Sequence, residues 1–136
     1  SRGLGDVYKR QAYRAIIPTE QSIKAIVKRS DLLNITKVSS LFARETAGSI
    51  TIEVNEDDQN IHIKALASQL GENSSKADAK ITGSGSVTLN SKFLIEALNA
   101  MNGEDVEFSF NSKVEPIVIK DPKNKDYLHV IMPLKA

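Results

Sequence analysis

The sequence predicts an α+β domain made of two strand-helix-three-strand halves, with both helices packed on one face of a shared sheet. Three observations lead there. Apolar residues alternate with polar ones in several short runs, which is the period of a half-buried strand; two longer segments carry apolar residues at helical spacing; and the order strand, helix, three strands occurs twice along the chain. A helix with one apolar stripe and a sheet with one apolar face bury both by packing against each other.

Residues 1–11, SRGLGDVYKRQ, show no hydrophobic periodicity and no initiator methionine; they read as a translated adapter or a disordered basic tail, and are set aside from the fold. Residues 12–18 contain YRAIIP, a short apolar segment stopped by Pro18, and the domain proper is expected over 19–136. Ile23, Ala25 and Val27 fall on one face of a first strand, with Lys24 and Lys28 on the other. Ser30 is a good N-cap for a helix whose stripe is Ile35, Val38 and Phe42, and Gly48 follows its end. Three strands follow, on Ile50, Ile52 and Val54, on Ile61, Ile63 and Ala65, and on Ala77, Ala79 and Ile81, the first two joined by an acidic turn at 55–60.

The second half opens with Val87 and Leu89 in a short strand. Asn90 or Ser91 caps a helix that turns Phe93, Leu94, Ala97, Leu98 and Met101 inward, and Gly103 ends it. Val106, Phe108 and Phe110, then Ile117 and Ile119, then Leu128 to Met132 supply three more strands. In the last, Leu128, Val130 and Met132 form an apolar face and Tyr127, His129 and Ile131 a semi-apolar one, until Pro133, which cannot donate to a ladder, releases a short tail. The two expected caps, Ser30 and Ser91, lie 61 residues apart, with little identity between the halves, so the pattern is duplicated more than the sequence.

At 136 residues and 40% hydrophobic, the chain builds one domain with a core of its own. It has no cysteine, hence no disulfide or thiolate metal site, and no run of about 18 apolar residues to span a membrane. We expect a soluble, cytoplasmic protein. Net charge is +1, but Arg2, Lys9 and Arg10 outweigh Asp6 in the first eleven residues, and the rest holds 15 basic against 16 acidic groups. Any DNA contact must therefore come from local charge placement and not from bulk charge.

The tail, Met132, Pro133, Leu134 and Lys135 after a valine- and isoleucine-containing strand, resembles the end of the bacterial sliding clamp, the beta subunit of DNA polymerase III, and the resemblance extends back to about Tyr13. It implies a DNA-clamp fold, three such domains per subunit and two subunits per ring, with this chain as the third domain plus the last strand of the second. It further implies a peptide-binding groove at Ile16, Phe93, Val114, Pro116, Val130, Ile131, Met132, Pro133, Leu134 and Lys135, with Phe93 where the family commonly has tyrosine. The helix face toward DNA would carry Lys37, Ser40, Arg44, Lys92 and Asn99, and the ring interface would use an edge strand at 76–81 and the end of the first helix, with Arg44, Glu45, Lys76, Asp78 and Lys80. Implied partners are duplex DNA, bound without sequence preference, a second clamp subunit, and the replicative polymerase, clamp loader and repair proteins through short linear peptides. No cofactor, catalysis or membrane is implied, and the location is cytoplasmic, at the nucleoid.

Each feature also has a plainer reading. Two cations per helix suit any solvated face, the apolar residues near the tail suit any core, and alternating Lys76, Asp78 and Lys80 protect any sheet edge. A stand-alone duplicated α+β interaction domain with no DNA role fits the same pattern. A small hydrolase using His129 with Asp126 would need a concave pocket around them. Gly83-Ser-Gly85 lacks the lysine of a phosphate loop and reads as a turn between the halves.

Overall fold

The computed structural model describes residues 20–67 and 71–134. The expectations for residues 1–11 and 12–18, including Ile16, and for Lys135 lie outside them. The elements are β1 (Ile23–Lys28), α1 (Arg29–Phe42) continued by a 3-10 turn (Ala43–Thr46), β2 (Ser49–Asn55), β3 (Asn60–Ala67), β4 (Gly71–Thr82), β5 (Gly85–Asn90), α2 (Ser91–Ala100), β6 (Asp105–Phe110), β7 (Ile117–Asp121) and β8 (Asn124–Ile131). The strands form one antiparallel eight-stranded sheet, ordered β5-β2-β3-β4-β1-β6-β7-β8, which curls around two helices on its concave face. The two strand-helix-three-strand halves are thus present as the sequence predicts, and they interlock: β1 of the first half pairs with β6 of the second, and β5 of the second with β2 of the first.

The curl nearly closes the sheet. Beyond β8 the Leu134 amide donates to the Thr88 carbonyl of β5 at 2.8 Å, joining the two ends of the strand order. The equivalent seam in the first half is a four-pair ladder between β1 and β4. Pro133 accounts for part of the difference, because it brings no amide to a second seam.

The core lies between sheet and helices. Ile50, Ile52, Ile61, Ile63, Leu89, Ile117 and Ile119 are fully buried from the strands, and Leu32, Leu94 and Leu98 from the helices. Phe108 and Phe110 pack edge to face with ring centroids 6.0 Å apart, and each such side chain contributes about 1.5–3 kcal/mol by leaving water.

The helix starts differ from expectation. Residue Lys28, extended at φ −63° and ψ 129°, precedes α1 without a side-chain cap, and Ser30 sits in the first turn. No linker separates β1 from α1, so tertiary structure replaces the cap: the Arg29 amide donates to the Glu104 carbonyl at 2.8 Å. In α2 the cap is Asn90 and not Ser91, which is the first helical residue: Asn90 Oδ1 accepts from the Lys92 amide at 2.9 Å. The helix-preceding residues Lys28 and Asn90 are 62 positions apart, and this is the repeat the fold uses.

The stripe of α1 is also displaced. Its buried residues are Leu32, Thr36 and Ser39, followed by Ala43, while Ile35 and Phe42 flank the core and Val38 is 44% exposed. Both hydroxyls have partners, Thr36 donating to the Leu32 carbonyl one turn back (2.6 Å) and Ser39 to Asn73 Oδ1 on β4 (3.2 Å), so they can be buried where hydropathy would not place them. On α2, Leu94, Ala97, Leu98 and Met101 point inward but Phe93 is 51% exposed. Gly103 is not a left-handed cap, since α2 ends at Met101 in an extended conformation; a Cβ at Gly103 would lie 2.8 Å from Asp121 Oδ2, so close approach is what requires glycine there.

In β8 the core face is Tyr127 and Ile131, not the more apolar set, and Met132 lies beyond the strand, 57% exposed. The register decides it: Ile131 pairs with Ile117, and Ile117 faces the core.

Candidate functional site

Helix α2 is pinned at both ends. At its start the Ser91 amide donates to the Gly48 carbonyl at 2.8 Å, in addition to the Asn90 cap. At its end Arg29, at the first turn of α1, donates from Nε to the Gly103 carbonyl (2.9 Å) and from a terminal nitrogen to the Leu98 carbonyl (3.2 Å). A cation at a helix C-terminus satisfies orphan carbonyls and complements the helix dipole. These contacts also show that α1 and α2 run antiparallel, the start of each lying by the end of the other.

Alongside the core stripe of α2, Phe93, Glu96, Ala97 and Ala100 form a second line at helical spacing. Together with His129, Val130, Ile131 and Met132 at the end of β8 they line a cleft of about 490 Å³. Ala97 and Ile131 are buried and make its floor, whereas Phe93 and Met132 stand half-exposed as walls. The Tyr127 hydroxyl lies 3.1 Å from the Ala100 carbonyl oxygen and 2.7 Å from His129 Nε2, tying β8 to the last turn of α2 and holding the imidazole at the rim.

Of the residues expected in a groove, Phe93, Val130, Ile131 and Met132 are brought together here. Val114, 76% exposed, and Pro116 lie in the β6–β7 connection and do not line this cleft, nor do Pro133 and Leu134, which follow it. Glu96, Ala97, Ala100 and His129 were missed. A count of three, four and seven residues on from Phe93 finds the first three; His129 emerges only with the register of β8.

Lys37, Arg44, Lys92 and Asn99 are exposed on the helix layer, and Ser40 is half-buried with its hydroxyl donating to the Lys37 carbonyl at 2.7 Å. Antiparallel packing sets Arg44 and Lys92 toward one end of that layer and Asn99 toward the other.

The expected edge strand is only partly an edge. Among the described residues 71–78 of β4 pair with β3 alone and 79–82 with β1 alone, so Lys76 and Asp78 lie where the side away from β3 is unpaired and Lys80 where β1 covers it. Gln59, at φ +51° just before β3 begins, carries the pairing on: its backbone carbonyl accepts from the Ala79 amide (3.2 Å), its Oε1 accepts from the Ile81 amide (3.1 Å), and its Nε2 donates to the Ile81 carbonyl (3.0 Å). Arg44 and Glu45 sit on the 3-10 turn, and the exposed large apolar residues that precede them on α1 are Val38 and Leu41, the latter 54% exposed.

His129 lines the cleft, but Asp126 does not, and among the described residues no three His, Cys, Asp or Glu side chains gather as a metal site. Nor is any helix among them long and apolar enough to cross a membrane.

Comparison with known proteins agrees with this architecture. A beta sliding clamp of Staphylococcus aureus (strain Mu50 / ATCC 700699) is 24% identical over 123 residues, covering 89% of this chain and 32% of the relative. The relative from Staphylococcus epidermidis is 22% identical over the same coverage. The crystal structure of DNA polymerase III, beta subunit, from Thermotoga maritima superposes with a TM-score of 0.85 at 22% identity, over 91% of this chain and 34% of that one. The DNA polymerase sliding clamp from Bacillus subtilis gives 0.84 at 20% identity, over 91% and 33%. The chain spans about a third of the length of these relatives. The profile of the DNA polymerase III beta subunit, C-terminal domain, matches residues 14–135, and this chain belongs to that family.

Proposed function

We propose that the chain is the partner-binding third domain of a replication sliding clamp, a non-catalytic processivity factor that works in the cytoplasm. The observation that carries this reading is the cleft between α2 and the end of β8, apolar on floor and walls and polar at its rim, as a groove for a short peptide requires. Met132 suits such a wall because an unbranched thioether repacks around different partners. In the full ring the helix layer would face duplex DNA. Lys37, Arg44 and Lys92, interspersed with Ser40 and Asn99, would touch phosphates and no base edge, since base contacts would fix a sliding ring at one sequence. The one-sided stretch of β4 with Lys76 and Asp78, the 3-10 turn with Arg44 and Glu45, and exposed Leu41 are where we place the contact with a second subunit. The domain would serve by avidity, keeping a tethered polymerase at high local concentration near its template.

The test is titration of a fluorescent clamp-binding peptide, of the Gln-containing hydrophobic type, into this chain and into a variant ended after Ile131. Saturable binding that disappears with the tail supports the groove. No binding up to millimolar peptide overturns it as a site on this chain.

A further inference from the structure

The cleft has a charge as well as a shape. Glu96 is exposed on its α2 side, three residues from Phe93 and one from Ala97, and none of the other seven lining residues is lysine or arginine. Lys92 precedes Glu96 by four positions, but no ion pair joins them, and lysine placed N-terminal to glutamate is the weaker order for such a pair. Opposite stands His129, engaged with the Tyr127 hydroxyl. Resting on the groove assignment above, we propose that the cleft selects extended peptides that place a lysine or arginine against Glu96, two residues from the side chain that packs on Phe93.

The spacing follows from geometry. Residues three apart on a helix face have Cβ atoms about 5–6 Å apart, and side chains on one side of an extended peptide repeat about every 6.6–6.8 Å. A peptide lying along α2 therefore matches Phe93 and Glu96 with residues i and i+2. From Phe93 to Ala100 the helix rises about 10 Å, room for about three extended residues. The buried methyl of Ala97, one residue on from Glu96, leaves depth beside that contact for a large apolar side chain directed at the floor. A carboxylate on the peptide at the same place would face Glu96 and be disfavoured.

The experiment is a lysine and glutamate scan of the same Gln-containing hydrophobic peptide, each residue and both flanks replaced singly, against the intact chain, Glu96→Gln and Glu96→Lys, by fluorescence anisotropy. We expect one lysine position to tighten binding about two- to fivefold and glutamate there to weaken it similarly, the range of an exposed ion pair. The preference should vanish in Glu96→Gln, reverse in Glu96→Lys, and shrink in molar salt. Binding of the unsubstituted peptide with no lysine position favoured, or a preference unchanged in Glu96→Gln, overturns the proposal and leaves the groove standing. Absence of binding by every peptide overturns both.

Discussion

Replacing Arg29 by methionine tests how the groove is held in place. The side chain makes two hydrogen bonds, at 2.9 and 3.2 Å, to carbonyls in and just after the last turn of α2, and that helix carries four of the cleft residues. A hydrogen bond to a charged group is worth about 1.5–3 kcal/mol, and a cation at a helix C-terminus adds about 0.3–1 kcal/mol. Arg29 is only half-buried, so water takes over part of the lost bonding, and we expect a net loss of about 2–3 kcal/mol. Arg29→Lys, which keeps the charge but reaches one carbonyl at a time, should lose about half of that. With a urea slope of about 2 kcal/mol/M, the methionine variant should unfold about 1–1.5 M earlier with the slope unchanged. The backbone bond from residue 29 to Glu104 is untouched by either change and serves as an internal control by amide exchange. A midpoint shift under about 0.3 M for methionine, or equal damage from lysine, would refute the argument that a forked guanidinium fastens α2.

Four further tests rest on the same structure. Asn90→Ala removes the side-chain cap of α2 and should destabilise by about 1 kcal/mol in urea unfolding, while Asn90→Asp should retain most of the stability. Gly83→Ala should lose more than Gly71→Ala although both have φ near +80°, because a Cβ at Gly83 would sit 2.7 Å from the Ser22 carbonyl oxygen and one at Gly71 meets nothing within 4 Å; about 1 kcal/mol is expected at Gly71 and several at Gly83. Gln59→Leu leaves both backbone groups of Ile81 without their partner and should cost about 2 kcal/mol, with the Ile81 amide exchanging faster. Phe93→Ser and Met132→Ser should change stability by less than about 1.5 kcal/mol, since each side chain is half-exposed, yet should abolish peptide binding in the anisotropy assay.

What the residues disclosed by themselves was whatever depends on local period and local chemistry. The strand faces Ile50-Ile52-Val54 and Ile61-Ile63-Ala65, the Asn90 cap, the turn at Gly83 and the duplicated order of elements are each set by neighbours a few positions apart, and they stand in the structure as read. Phe93, Val130, Ile131 and Met132 were expected together from the family resemblance, and they line one cleft. Tertiary packing decided the rest. Thr36 and Ser39 displaced Val38 from the core because their hydroxyls found partners at Leu32 and Asn73. The face of β8 was chosen by pairing with β7, where one step of register exchanges the two faces, and neither Tyr127-His129-Ile131 nor Leu128-Val130 is polar enough to choose unaided. The α1 start needed no capping side chain because Glu104, far along the chain, supplied the acceptor. Glu96 and His129 became neighbours of one cleft only when α2 was fastened beside β8, a contact between distant segments that no local pattern encodes.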